Sequence, residues 1–184
     1  MYSAGDGTEF ARELLARPEI FDPDLSFLVA GIVTTDNFEA DGIRLRAARA
    51  ECQLPIPLLR QHDWNHPIGS VLRTKVHLDS LWFEARIANA AWAAEAWAEI
   101  KAAKLTGVSL EPIANSDDFS RWGIREISIC DEARNPDAIV CRVWERYRPS
   151  FYRFDREKQE DITVHREIGP AISFREAPRV TYYR

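Results

Sequence analysis

Two of the four histidines in this chain lie four residues apart in RQHDWNHPIG, residues 60–69, among an Asp, a Trp and a Pro. An imidazole can act as a base near neutral pH or as a metal ligand. On a helix, His62 and His66 would share a face, the arrangement of a helical metal site. Prolines at 55, 57 and 67 make the stretch extended instead, where four residues span ~13 Å. Neither histidine carries the flanking glutamate of a metal-binding helix. No metal and no cofactor is expected on these residues.

A base needs a group to deprotonate. Ser109, in LTGVSLEP, follows a glycine-closed helix and opens a strand, a place that fixes the backbone and aims a short side chain. A serine hydroxyl is a poor nucleophile until a neutral imidazole takes its proton. The same hydroxyl would also bond backbone at a strand start, and spacing alone leaves both readings open. Glu126, in WGIREISIC, shares a strand face with Trp122, Ile124, Ser128 and Cys130 by alternation. A carboxylate on so apolar a face needs a partner, because an unpaired buried charge is costly. An imidazole N–H would satisfy it and gain its tautomer and orientation in return. The alternative is an edge-strand glutamate facing water or an arginine. The residues outline a Ser–His–Glu set without choosing the histidine.

The elements that would position these groups follow from patterning. LSFLVAGIVTT, residues 25–35, is apolar and β-branched and reads as a buried strand; TDNFEADGIRL after it carries turn residues. LPIPLLR, residues 54–60, is extended and expected at a sheet edge because of its prolines. VLRTKVHL places Leu72, Thr74, Val76 and Leu78 on one face, and LWFEARIA places Leu81, Phe83, Ala85 and Ile87 together; Asp79–Ser80 between them predicts a hairpin. Asn89 is expected to cap the alanine-rich helix AAWAAEAWAEIKAAK, closed at Gly107. SDDFSR is a loop, and WGIREISIC (122–130) and AIVCRVWERY (138–147) are strands joined by a turn at Asn135–Pro136. TEFARELLARPEI predicts a short helix ended by Pro18. The expected organisation is an N-terminal extension (1–24), a β-rich domain with few helices (25–148) and a charged, aromatic tail (149–184) with one or two short strands.

A chain of 184 residues is of single-domain length and can bury roughly 70% of its unfolded surface without a disulfide or metal staple. The net charge of −5 argues against nucleic-acid binding. Cys52, Cys130 and Cys141 are too few and too scattered for a disulfide framework or a zinc pattern, and are expected as reduced thiols. The acidic N-terminus and the lack of a long apolar run predict neither a signal peptide nor a membrane span. A soluble protein of the cytoplasm is expected.

Read in order, VAGIVTTDNFEADG, PLLRQHDWNHPIGSV, LWFEARIA, LTGVSLEP and IREISICDEARNPDA resemble the tailed-phage prohead (head maturation) proteases, distant relatives of the herpesvirus assembly protease. The resembling motifs run from about residue 25 to 147. The resemblance implies a mainly β (α+β) fold, a compact β-barrel flanked by helices, and a serine endopeptidase. Carried over by position, His62 is the base, Ser109 the nucleophile and Glu126 the third member, with Glu111 an outside alternative where herpesvirus relatives use a second histidine. His66 falls in a variable spacer, and Asp63 is expected to point away from the His62 ring. Oxyanion donors are expected in the loop Asp117–Trp122. Glu111–Pro112 depart from the family, which commonly continues with small or glycine and aromatic residues.

The implied substrates are scaffold, or the scaffolding segment of the major capsid protein, cleaved inside the procapsid in the host cytoplasm. Because relatives in the wider clan pair to become active, a homodimer is within the resemblance; nucleic acid and membrane are not. Two rivals stand beside this reading. One is a non-catalytic, protease-like assembly protein that binds scaffold or capsid subunits. The other is a metal-dependent hydrolase using His62 and His66.

Overall fold

The computed structural model describes residues 21, 25–37, 39–114, 121–147 and 172–173. The expected N-terminal helix, the loop residues 116–120 and most of the tail lie outside them. The described residues form one mainly β structure with a single α-helix. In chain order the strands are β1 (Leu25–Thr35), β2 (Ala50–Glu51), β3 (Ile56–Arg60), β4 (Gly69–His77) and β5 (Ser80–Ile87). The helix α1 (Ala91–Lys101) follows, then β6 (Gly107–Ala114), β7 (Trp122–Cys130), β8 (Val140–Tyr147) and β9 (Ile172–Ser173).

The strands run β2-β7-β3-β4-β5-β1-β8-β9 across one sheet, and β6 pairs with β7. The ladders do not close on themselves, so the barrel expected from the resemblance is not shown. An isolated antiparallel bridge, Gly107↔Ile139, ties the start of β6 to the approach of β8. Gly107 is needed there for close approach: a Cβ would meet the Cys130 carbonyl oxygen at 2.9 Å and the Ala133 nitrogen at 3.1 Å. That glycine therefore begins a strand and does not end the helix. The helix ends with Ala103 in the left-handed region, where Lys104 N–H bonds Glu99 O at 2.9 Å and Ala103 N–H bonds Ile100 O at 3.1 Å. This is a Schellman closure made without glycine. At the other end the N-cap is Ala90, one residue beyond Asn89, and it offers no side-chain cap.

β3 is central, between β7 and β4, and not at an edge as its prolines predict. Its parallel ladder with β7 begins only at Leu58, so Pro55 and Pro57 precede the residues that must donate to that neighbour. The β4–β5 hairpin turns at Leu78–Asp79, one residue earlier than expected, since His77 already pairs with Ser80. On β5, Leu81, Phe83, Ala85 and Ile87 are buried as the alternation requires. On β4, a register shift between Val71 and Arg73 breaks the pattern, and the hairpin runs past the core, leaving Leu72, Val76 and Leu78 exposed.

The core joins the inward faces of the strands to Ala93, Ala96, Trp97 and Ile100 of α1. Trp97 stacks at a tilt on Phe27 of β1, ring centroids 4.9 Å apart. Each fully buried Leu or Ile contributes about 1.5–3 kcal/mol by leaving water, so the strands flanking the site rest on a rigid support. Trp122, wholly buried, also bonds through Nε1 to Arg46 O at 3.1 Å.

Candidate active site

The chain does not stay extended beyond Arg60. Gln61 and His62 both take left-handed conformations, with φ of 52° and 59°. Each such residue costs about 1–3 kcal/mol, so neighbouring bonds must hold it. Gln61 N–H donates to Ile129 O at 3.1 Å and Asp63 N–H to Arg60 O at 3.0 Å. Arg60 is itself clamped to α1 through Glu99, 2.9 Å away. The reversal turns the imidazole of His62 back toward β7.

There Nδ1 of His62 lies 2.7 Å from Oε1 of Glu126. The glutamate is 0% exposed, whereas the imidazole is 45% exposed. A buried carboxylate acting as acceptor fixes the proton on Nδ1 and leaves Nε2 as the free lone pair. Ser128 completes the cluster: its hydroxyl donates to Glu126 Oε2 at 2.7 Å and accepts from His62 N–H at 3.1 Å. The imidazole pKa is held above its ordinary 6.5, chiefly by the hydrogen bond to Glu126; burial opposes the shift, and the charges of Glu126 and Glu111 reinforce it.

Ser109 pairs directly with Ser128 across β6 and β7, so their side chains share a face of the sheet. Its Oγ is buried and has no hydrogen-bond partner among the described residues. The structure thus brings His62 and Glu126 into contact and places Ser109 opposite the serine that bonds both. It does not join Ser109 to His62 by a hydrogen bond. The backbone-bonded alternative for Ser109 likewise finds no partner for the hydroxyl among the described residues.

The other residues singled out from the sequence have separate partners. His66 Nδ1 lies 2.9 Å from Asp63 Oδ2, so the two histidines of the opening stretch are held by different carboxylates across a turn. Glu111, opposite Glu126 on β6, is bonded through Oε1 to Arg125 Nη1 at 2.6 Å and reaches His62 only through its charge. The thiol of Cys130 is pushed up to about 11 by burial and by the charges of Asp131 and Glu126. It is therefore a protonated thiol at neutral pH and no rival nucleophile. The expected oxyanion donors at 117–120 lie outside the described residues. Ser128 is a member of the cluster to which sequence patterning assigns no role. Its signal was the spacing Glu126-x-Ser128, which puts both side chains on one strand face.

A family model described as caudovirus prohead serine protease matches residues 44–138, just over half of the chain. No curated protein matches. Among solved structures, the chain is similar to KSHV protease in complex with a hexapeptide phosphonate inhibitor: TM-score 0.50, 16% identity, 63% of this chain and 64% of that one. A second KSHV protease structure gives a TM-score of 0.43 at 15% identity, covering 65% and 60% of the two chains. The varicella-zoster virus protease gives 0.42 at 15% identity, covering 65% and 64%. The chain spans less than two thirds of the herpesvirus proteases it matches, and the likeness is one of fold.

Proposed function

This chain belongs to the caudovirus prohead serine protease family, and on that premise we propose that it is a serine endopeptidase of phage head maturation in which Ser109, His62 and Glu126 carry the reaction. The observation that carries the proposal is the 2.7 Å bond from His62 to a wholly buried Glu126, with Ser109 across the adjoining strand pair. Glu126 keeps the proton on Nδ1, so Nε2 can accept the Ser109 proton as Oγ attacks a peptide carbonyl. Nε2 then returns that proton to the leaving amine, and water releases the acyl group by the reverse use of the same base. Glu126 stabilises the imidazolium formed at each step. Ser109 Oγ, which has no hydrogen-bond partner among the described residues, is the hydroxyl that Nε2 would deprotonate.

The substrates we assign are scaffold, or the scaffolding segment of the major capsid protein, within the procapsid in the host cytoplasm. The sheet we read as a barrel-like wrap whose seam is drawn together at Gly107↔Ile139. A homodimer belongs to the same proposal. Co-expression with the cognate capsid protein, followed by mass spectrometry of the products, tests it. Wild type is expected to trim the capsid protein, and neither His62→Ala nor Ser109→Ala to do so. Binding of capsid protein without trimming by any of the three would favour the non-catalytic assembly role instead. Trimming that stops in a chelator would favour the metal-dependent one.

A further inference from the structure

We propose that Ser128 is a positioning residue that locks the base and its carboxylate into a single geometry by bonding both at once. This role rests on the reading of His62 as the base. Three bonds form a closed ring: His62 N–H to Ser128 Oγ at 3.1 Å, Ser128 Oγ–H to Glu126 Oε2 at 2.7 Å, and His62 Nδ1–H to Glu126 Oε1 at 2.7 Å. The proton directions are forced. A backbone N–H can only donate, so the single hydroxyl proton is free to go to the carboxylate. Both carboxylate oxygens are then occupied, and Glu126 cannot rotate without breaking a charge-assisted bond.

The same ring holds the backbone at the residue that needs holding. His62 sits in the left-handed region, and its amide is tied down by the Ser128 side chain, not by a strand ladder. Ser128 is itself fixed from both sides, opposite Leu59 of β3 and Ser109 of β6. It is wholly buried, so its hydroxyl has no water to turn to. Its side chain therefore ties the turn that carries the base to β7, the strand whose ladder holds β6 and Ser109.

Ser128→Ala and Ser128→Thr test this, with peptide cleavage, amide exchange and the titration of the His62 ring followed by NMR. Ser128→Ala is expected to lower kcat by about 10- to 100-fold with KM within about twofold, the pattern of a misplaced but unremoved base. The acid limb of its rate profile and the His62 titration should both move toward the ordinary imidazole range, because Glu126 no longer holds the ring all the time. The His62 amide should exchange at least about tenfold faster. Ser128→Thr, which keeps the hydroxyl, should restore most of kcat. Wild-type kcat, acid limb and amide exchange in Ser128→Ala would overturn the proposal. If that variant does not fold, the wild-type protein decides: a His62 amide exchanging at the unstructured rate overturns the proposal, and a protected one supports it. Exchange and ring titration need no cleavage, so a chain that cuts nothing would remove the protease reading and leave this result standing.

Discussion

Glu126→Gln isolates the charge at the centre of the cluster while keeping its shape. The carboxylate is 0% exposed and its Oε1 lies 2.7 Å from Nδ1 of His62, so the charge centres of the pair are about 4 Å apart. At an effective dielectric of about 20, an imidazolium forming at that distance gains about 4 kcal/mol from the carboxylate, or about three factors of ten in rate. The ring is 45% exposed, and water screens part of this. A loss of about 100- to 1,000-fold in the plateau rate is therefore expected. The pH dependence carries a second, independent sign. His62 must be neutral to accept a proton, and Glu126 raises its pKa, so wild-type activity should rise through a pH above the ordinary 6.5. In Glu126→Gln the plateau falls while the acid limb moves to lower pH. Fluorophosphonate labelling rates between pH 4 and 9 measure both without knowledge of the cleavage site, and thermal melting checks the fold. A plateau within tenfold of wild type, or an acid limb that does not move down, would refute the reasoning.

Further outcomes follow from neighbouring residues. Glu111→Gln should move the acid limb down by less than Glu126→Gln and leave the plateau near wild type, since Glu111 touches Arg125 and acts on His62 only through its charge; labelling profiles compare the two directly. Gly107→Ala should destabilise the fold by about 1–3 kcal/mol, because the added Cβ meets backbone atoms that cannot step aside; denaturant midpoints measure it, and an unchanged midpoint would contradict the close approach. Lys101→Ala should cost at most about 1 kcal/mol, since its 2.7 Å bond to Glu145 joins α1 to β8 between partly exposed groups; the same midpoints would expose a larger loss.

The strands were legible where one face is buried along the whole length. SLWFEARI alternates along its whole length because β5 lies between two neighbours and over the core. VLRTKVHL carries the same alternation, yet its apolar face is exposed, because a register shift and an overhanging hairpin tip are invisible to a period of two. Prolines at 55 and 57 suggest an edge, but whether a missing N–H matters depends on where the neighbouring ladder starts, which is a tertiary fact. Gly107 reads as a helix stop, while the actual stop is an alanine in the left-handed region, a residue type that gives no such signal.

Within the candidate site, the contact of His62 with Glu126 was legible through burial. Glu126 stands on an apolar strand, so a partner was required, and His62 Nδ1 occupies that position. The turn that swings His62 around could not be read, because Gln61 gives no signal for a positive φ and the tendency of histidine toward it is too weak to locate a turn; the bonds to Ile129 and Ser128 impose it. Ser128 went without a role for a related reason. A hydroxyl announces nothing until both of its partners are placed.

The central claim is that Ser109 is the hydroxyl that His62 activates. Peptide mapping of the wild-type chain after fluorophosphonate treatment identifies the modified residue directly. A single adduct on Ser109, absent from His62→Ala, is expected. An adduct on Ser128 or any other residue, or a Ser109 adduct that forms as fast without His62, would contradict it.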